Sequence, residues 1–515
     1  MLTRTRYFVS VSAVMAATAG FSQQETEESP LNVIEWLDGP AILPTALPLD
    51  EPDVAASGTV PDVTVRPLGT TAPKRVGLAP PSITGLPDTL WSGTGGDTLE
   101  QTIAQLPGAK LPALQSLLFT LLLAEAAPPP NKVDAFDLAR VDALFELGAL
   151  DPALALLAQA GPETSPEHFA RFMDMSLLAG TSAQACAVLR ARIDLSPGKA
   201  YEVFCAARAG DWSTAALLLG TARVLALIDE PTVAALERFL DPDLFEGEPP
   251  LPAPTSRNPL TFRLFEANGT PIPTRTWPLP YANADLSDTV GWKSQIEAAE
   301  RLARTGALPD NRLLGLYTQR RPAASGGVWD RVEALQQFET ALGTGSPAAV
   351  SKTLPQAWQA MRDAHLAVPF ATLFAEDLSK LTLSGRAADV AFEILLLSPN
   401  YEKAAQVFPA RALRRPALAA VAAGDAAAIA DVDVGGVTAA VLAAFDNAPP
   451  DPRIVIRARG GALGAALLDA LALTIEGTRG DVARLTAGLA TLRALGLEGA
   501  ARRTALQVIL LEDTI

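Results

Sequence analysis

Two histidines, His168 and His365, stand in 515 residues, and imidazole is the side chain that most readily moves a proton or holds a metal near neutral pH. Neither lies in a His-Glu-x-x-His or a Cys-x-x-Cys spacing, so no zinc centre is readable. The sequence also lacks a Gly-x-Ser-x-Gly elbow and a Gly-x4-Gly-Lys phosphate loop. His168, in "SPEHFARF", falls in the first turn of an expected helix and reads as a surface or packing residue. The glycine cluster "SGTGGD", residues 92–97, resembles a phosphate loop only in composition; without a preceding strand it reads as a linker. No catalytic, metal-binding or cofactor-binding residue is therefore assigned.

Arginine supplies the best candidate for a small site. In "YTQRRPAASGGVWDRVEAL", residues 317–335, Arg320 and Arg321 precede a turn at Gly326 and Gly327 that opens a helix. Free backbone N–H groups, a positive helix terminus and two guanidinium groups could converge there on an anion. Trp329 could add a stacking wall. The competing reading is a capped loop whose arginines pair with acids of the same chain.

Carboxylates are plentiful, with 57 Asp and Glu. Because glycosidic bonds can be cut by two well-placed acids alone, an enzyme or accessory domain acting on envelope glycan (peptidoglycan) stays open as the alternative function. The two cysteines, Cys186 and Cys205, lie on successive expected helices, ten residues before and nine after Ser196. In an antiparallel hairpin those distances from the turn match, which allows a disulfide; free, buried thiols are the other reading.

The formal charge of −16 falls to −18 if Arg4 and Arg6 are removed. A polyanion of this kind excludes nucleic acid as an expected partner, since such binding rests on Lys and Arg displacing counterions. Removal of those arginines is expected because residues 1–22 read as a signal peptide: a basic start, an apolar run from Tyr7 to Gly20, and small residues suited to cleavage. Both that run and "LPALQSLLFTLLLAEAA", residues 111–127, are too short and too interrupted to span a bilayer; the second is expected as a buried core helix. Few lysines, 8 by count of the sequence, and heavy use of Ala, Leu and Arg suit a GC-rich bacterial genome. The expected location is the periplasm, without membrane insertion.

Residues 23–98 are dense in Pro, Thr, Gly and Asp with no sustained period, and read as a disordered tail. It holds two apolar islands, 29–38 and 76–91. In "SPLNVIEWLDGP" Ser29 can cap, Pro30 can take the first helical position, and Gly39-Pro40 can stop the helix. Leu31, Ile34 and Leu37 share one stripe with Trp36 at its edge. A helix this short does not hold alone in water, so these four residues are expected to bind a partner, or to dock on their own chain.

Beyond residue 98 the pattern turns helical, with Ser-Pro pairs at Ser165, Ser196, Ser346 and Ser398 as expected N-caps, joined by Asn258-Pro259 and Asp151-Pro152. "FELGALDPALALL", "LLAGTSAQACAVL" and "AARAGDWSTAALLL" repeat a scheme in which a helix stops at Gly148, Gly180 or Gly210 and an alanine follows five residues later, at Ala153, Ala185 or Ala215, to admit close packing. The predicted fold is all-α, a degenerate solenoid of helical hairpins: one block over 99–245, a Pro-rich insertion over 246–291 with one short helix, Pro259 to Ala267, and a second block over 292–515.

Over roughly 130–230 and 290–515 these hairpins resemble the tetratricopeptide-like class, although its 34-residue signature does not recur in register. The layout of signal peptide, Trp-Leu island, "TGLP..LW" element and helical repeats is similar to uncharacterised secreted (periplasmic) proteins of alphaproteobacteria. The resemblance implies a superhelical scaffold and brings no activity with it. The expected function is a periplasmic scaffold or adaptor of a cell-envelope assembly that binds envelope proteins.

Overall fold

In the computed structural model, which describes residues 74–511 apart from 255, 323 and 425–434, the described residues form helices and isolated β-bridges only. The local punctuation explains many helix ends. Ser165 accepts from the His168 N–H and Ser346 from the Ala349 N–H, each with proline at the first helical position. Asn258 caps Pro259–Ala267 by accepting from Leu260 and Thr261. Gly148, Gly180 and Gly210 take left-handed φ of 82°, 75° and 80° at the hairpin turns. Ala153, Ala185 and Ala215 are fully buried where the next helix crosses.

Three expected caps are elsewhere. Ser196 does not open a helix: Gly198 extends the chain and the helix begins at Lys199. Ser398 is buried, donates to Leu395 O and accepts from Asn400 N, closing a turn before a single 3-10 turn. Asp151-Pro152 falls inside Leu150–Ala160, because the turn after Gly148 is short enough for the helix to begin one residue earlier.

Consecutive helices pack as hairpins, among them Val133–Glu146 on Leu150–Ala160, Lys199–Arg208 on Trp212–Val224, Val328–Gly343 on Pro347–Asp363, and Leu463–Gly477 on Val482–Ala494. In an open solenoid each repeat touches only its neighbours. Here Pro112–Leu123, the apolar core helix, packs on both Leu463–Gly477 and Glu498–Leu510. Early and late helices of the described residues thus close on each other.

The boundary expected at 246–291 does not divide the cores. One core joins residues 76–157 to 281–511, with Met175, Leu178 and Phe262 reaching into it. A second, smaller core lies within 169–265. The Pro-rich segment straps the two: Arg263 donates to the Leu177 and Leu178 carbonyls, Phe262 packs with Trp277 and Tyr281, and Asn283 donates to Gly148 O.

The described part of the tail expected over 23–98, residues 74–98, is built into the fold. Val76, Leu86, Leu90 and Trp91 are buried in the main core. Residues 78–79 bond to the Leu123 carbonyl, and Glu125 donates back to Ala79 O. Fully buried Arg140 ties the strap down by donating to Val76 O at 2.9 Å, Leu122 O at 2.7 Å and Ala124 O at 3.1 Å. Burial pushes the Arg140 guanidinium down to about 10 and its neighbour Asp137 up to about 6. The glycine cluster is no linker: a Cβ on Gly93 would meet Gly461 O at 2.0 Å, and one on Gly96 the Asn131 carbonyl at 2.5 Å. Those glycines permit backbone to lie on backbone.

Candidate functional site

Leu31, Ile34, Trp36, Leu37 and the expected signal peptide lie outside the described residues. The second island, 76–91, is built into the main core of its own chain, with Trp91 against Phe136 at 5.1 Å and Gly464 donating to Leu90 O.

At the arginine loop the Gly326 N–H donates at 2.7 Å to Asp330 of the helix it opens. A carboxylate of the chain itself thus sits where the anion was expected, and it completes an intrahelical cap. Gly327 turns with φ 61°. Arg320 and Arg321 are exposed, and no ion pair reaches either among the described residues. Trp329 packs on Trp292 at 5.0 Å. The geometry at this loop is that of a capped turn, and it carries no argument for a ligand.

Cys186 and Cys205 form a disulfide, with Cα atoms 5.0 Å apart. It bridges Ser182–Ala191 and Lys199–Arg208 inside the smaller core. His168 is buried with Nδ1 3.0 Å from Ser165 Oγ, and burial lowers its affinity for a proton. Among the described residues no group of three or more His, Cys, Asp or Glu could hold a metal, and no helix is long and apolar enough to cross a membrane.

The most unusual surface belongs to the same lobe. Trp212–Val224 begins with Asp211 accepting from the Thr214 N–H, and buries Ala215, Leu219 and Ala222 against the helices Lys199–Arg208 and Glu230–Leu240. At 100° per residue those three fill a narrow arc. The opposite arc carries Leu217 and Val224, which remain 72 % and 85 % exposed; Trp212, at the edge of the buried arc, is 52 % exposed, and Leu225 follows at 60 %. The only charge on the helix is Arg223, paired with Glu237 at 2.7 Å. Seven of the twelve large apolar side chains that stand exposed among the described residues lie in this lobe: Ile193, Trp212, Leu217, Val224, Leu225, Leu227 and Leu244. They are concentrated, whereas singly scattered ones would need no explanation.

The sequence reading passed over this face because an apolar helix is ordinarily a buried one. The signal was present: "WSTAALLLGTARVLALI" has apolar residues all round and no stripe. Ala226, just beyond it, takes the left-handed conformation at φ 51° that glycine takes at the other hairpin turns. Compared with known protein families, with curated proteins and with solved structures, the chain matches none.

Proposed function

We propose that this protein is an exported, tetratricopeptide-like scaffold of the bacterial cell envelope that works by binding protein partners. The observation that supports the reading is the charge-poor apolar face of Trp212–Val224, in a chain of net charge −16. Exposed apolar side chains concentrated in one region are covered by another macromolecule in many soluble proteins, and Trp, which stands at the edge of this face, is enriched at binding hot spots. The proposed recognition helix with Leu31, Ile34, Trp36 and Leu37 is a second contact on the same partner or a neighbouring one. A disulfide in the lobe accords with an oxidising compartment, the periplasm.

The test is crosslinked affinity purification from intact envelope, comparing the wild type with Leu217→Asp/Val224→Asp and with Trp36→Ala/Leu37→Ala. Truncating a central anchor costs about 2 kcal/mol, or about thirtyfold in affinity. Each pair of substitutions should deplete a specific, identified partner while leaving helical circular dichroism unchanged. Full recovery of the same partners by both variants would overturn the proposal.

A further inference from the structure

A cavity of about 420 Å³ opens beside the start of Pro112–Leu123, between Arg304, Arg362, His365 and Val368. Its lining holds no carboxylate among the described residues, which is unusual in a chain with 57 Asp and Glu against 41 Lys and Arg. Both arginines have acidic neighbours, but those acids are held more closely elsewhere. Glu300 lies 3.5 Å from Arg304 and 2.6 Å from Arg331. Glu393 lies 3.7 Å from Arg362 and 2.6 Å from Arg415. Four guanidinium groups therefore share two carboxylates, and Arg304 and Arg362, the more distant two, both line the cavity.

The backbone holds both arginines in place. Arg304 Nε donates to Ala364 O at 2.8 Å, and Arg362 Nη2 to Leu510 O at 3.4 Å, which leaves further N–H donors on each guanidinium. His365 sits at the turn after Pro347–Asp363 with φ 57°, where the hairpins at Gly148 and Gly306 use glycine. A side chain is kept there at the cost of a strained backbone, the kind of outlier found at functional sites. Gln115 forms a wall shared with a neighbouring cavity of about 380 Å³. It is buried, its Nε2 donates to Ala109 O, and its Oε1 has no partner among the described residues. That oxygen has almost no accessible surface, so Gln115 bounds the cavity without offering it an acceptor.

We infer that this cavity binds a small organic anion, a carboxylate or phosphate held by Arg304, Arg362 and His365. The test is isothermal titration calorimetry of the full chain at low salt, with succinate, L-malate and sn-glycerol 3-phosphate as probes. The first two offer carboxylates and the third a phosphate, so which of them binds decides between the two chemistries. A saturable single-site heat is expected for the dicarboxylates or for sn-glycerol 3-phosphate. Arg362→Gln should weaken binding by about tenfold, the value of one charge-assisted hydrogen bond. His365→Gly should weaken it too while folding at least as stably, since glycine removes the strain.

Two results would overturn the inference: no saturable heat with any probe, or binding untouched by both substitutions. Heat that appears only in a chain ending at Leu511, itself part of the lining, would also overturn it, by making the acidic segment from Glu512 and Asp513 the occupant.

Discussion

The main core and the disulfide-bearing lobe are made from the same hairpin, yet they are stabilised in opposite ways. The main core is closed by contacts between distant parts of the chain: the strap at 76–91, Arg140 on three carbonyls, the Ala113 N–H on Gln507 Oε1, and Trp91 on Gly464. The lobe's core has far fewer residues. A small core gains less from burial, and here a covalent bridge between neighbouring helices compensates. The lobe nevertheless leaves Leu217 and Val224 uncovered. Where the main core uses nearly every apolar helix to cover another, the lobe leaves one helix face uncovered among the described residues.

This contrast can be broken first at Arg140. Arg140→Met removes the donors for Val76 O, Leu122 O and Ala124 O and leaves Asp137 buried beside an apolar side chain. Breaking a buried pair in this way costs about 3–5 kcal/mol. Urea denaturation should show that loss, and hydrogen exchange should place it at 76–91 and around Val133–Glu146, with the lobe's amides still protected. Equal loss of protection in the lobe would mean that the two cores are one cooperative unit.

The converse substitution is milder and should act on the lobe. Cys186→Ser with Cys205→Ser opens a loop with a sequence separation of 19, for which the chain-entropy estimate is about 3 kcal/mol. Exchange should quicken over 182–208 and the adjoining Trp212–Val224, while the strap stays closed. A uniform change over both cores, or none, would remove the special role given to the bridge.

Much of this arrangement is local, and local features are legible. Ser165, Ser346 and Asn258 cap because a short polar side chain followed by proline has few better conformations, and Gly148, Gly180 and Gly210 turn because a Cβ resists left-handed backbone. The match of Cys186 to Cys205 across their turn is of the same kind. Ser196 and Ser398 misled because one following residue, Gly198 or Asn400, redirected the chain. The long-range contacts left no periodic trace. Nothing in residues 76–91 specifies that they lie on a helix more than 350 positions later, at Gly464, and Gly93 looks like a linker until Gly461 is known to lie against it. The cavity residues Gln115, Arg304, Arg362 and His365 come from the ends of three helices far apart in the sequence, so no local pattern announces them.

The central claim, that the apolar face of the lobe is covered by a protein partner, is tested most directly by photocrosslinking in the native host. A photoreactive residue would replace Leu217 and, as a control, Ile456, which is 68 % exposed on the main body. A discrete adduct with one identified envelope protein from position 217, absent from position 456, is the predicted result. No adduct from 217, or the same diffuse adducts from both positions, would contradict it.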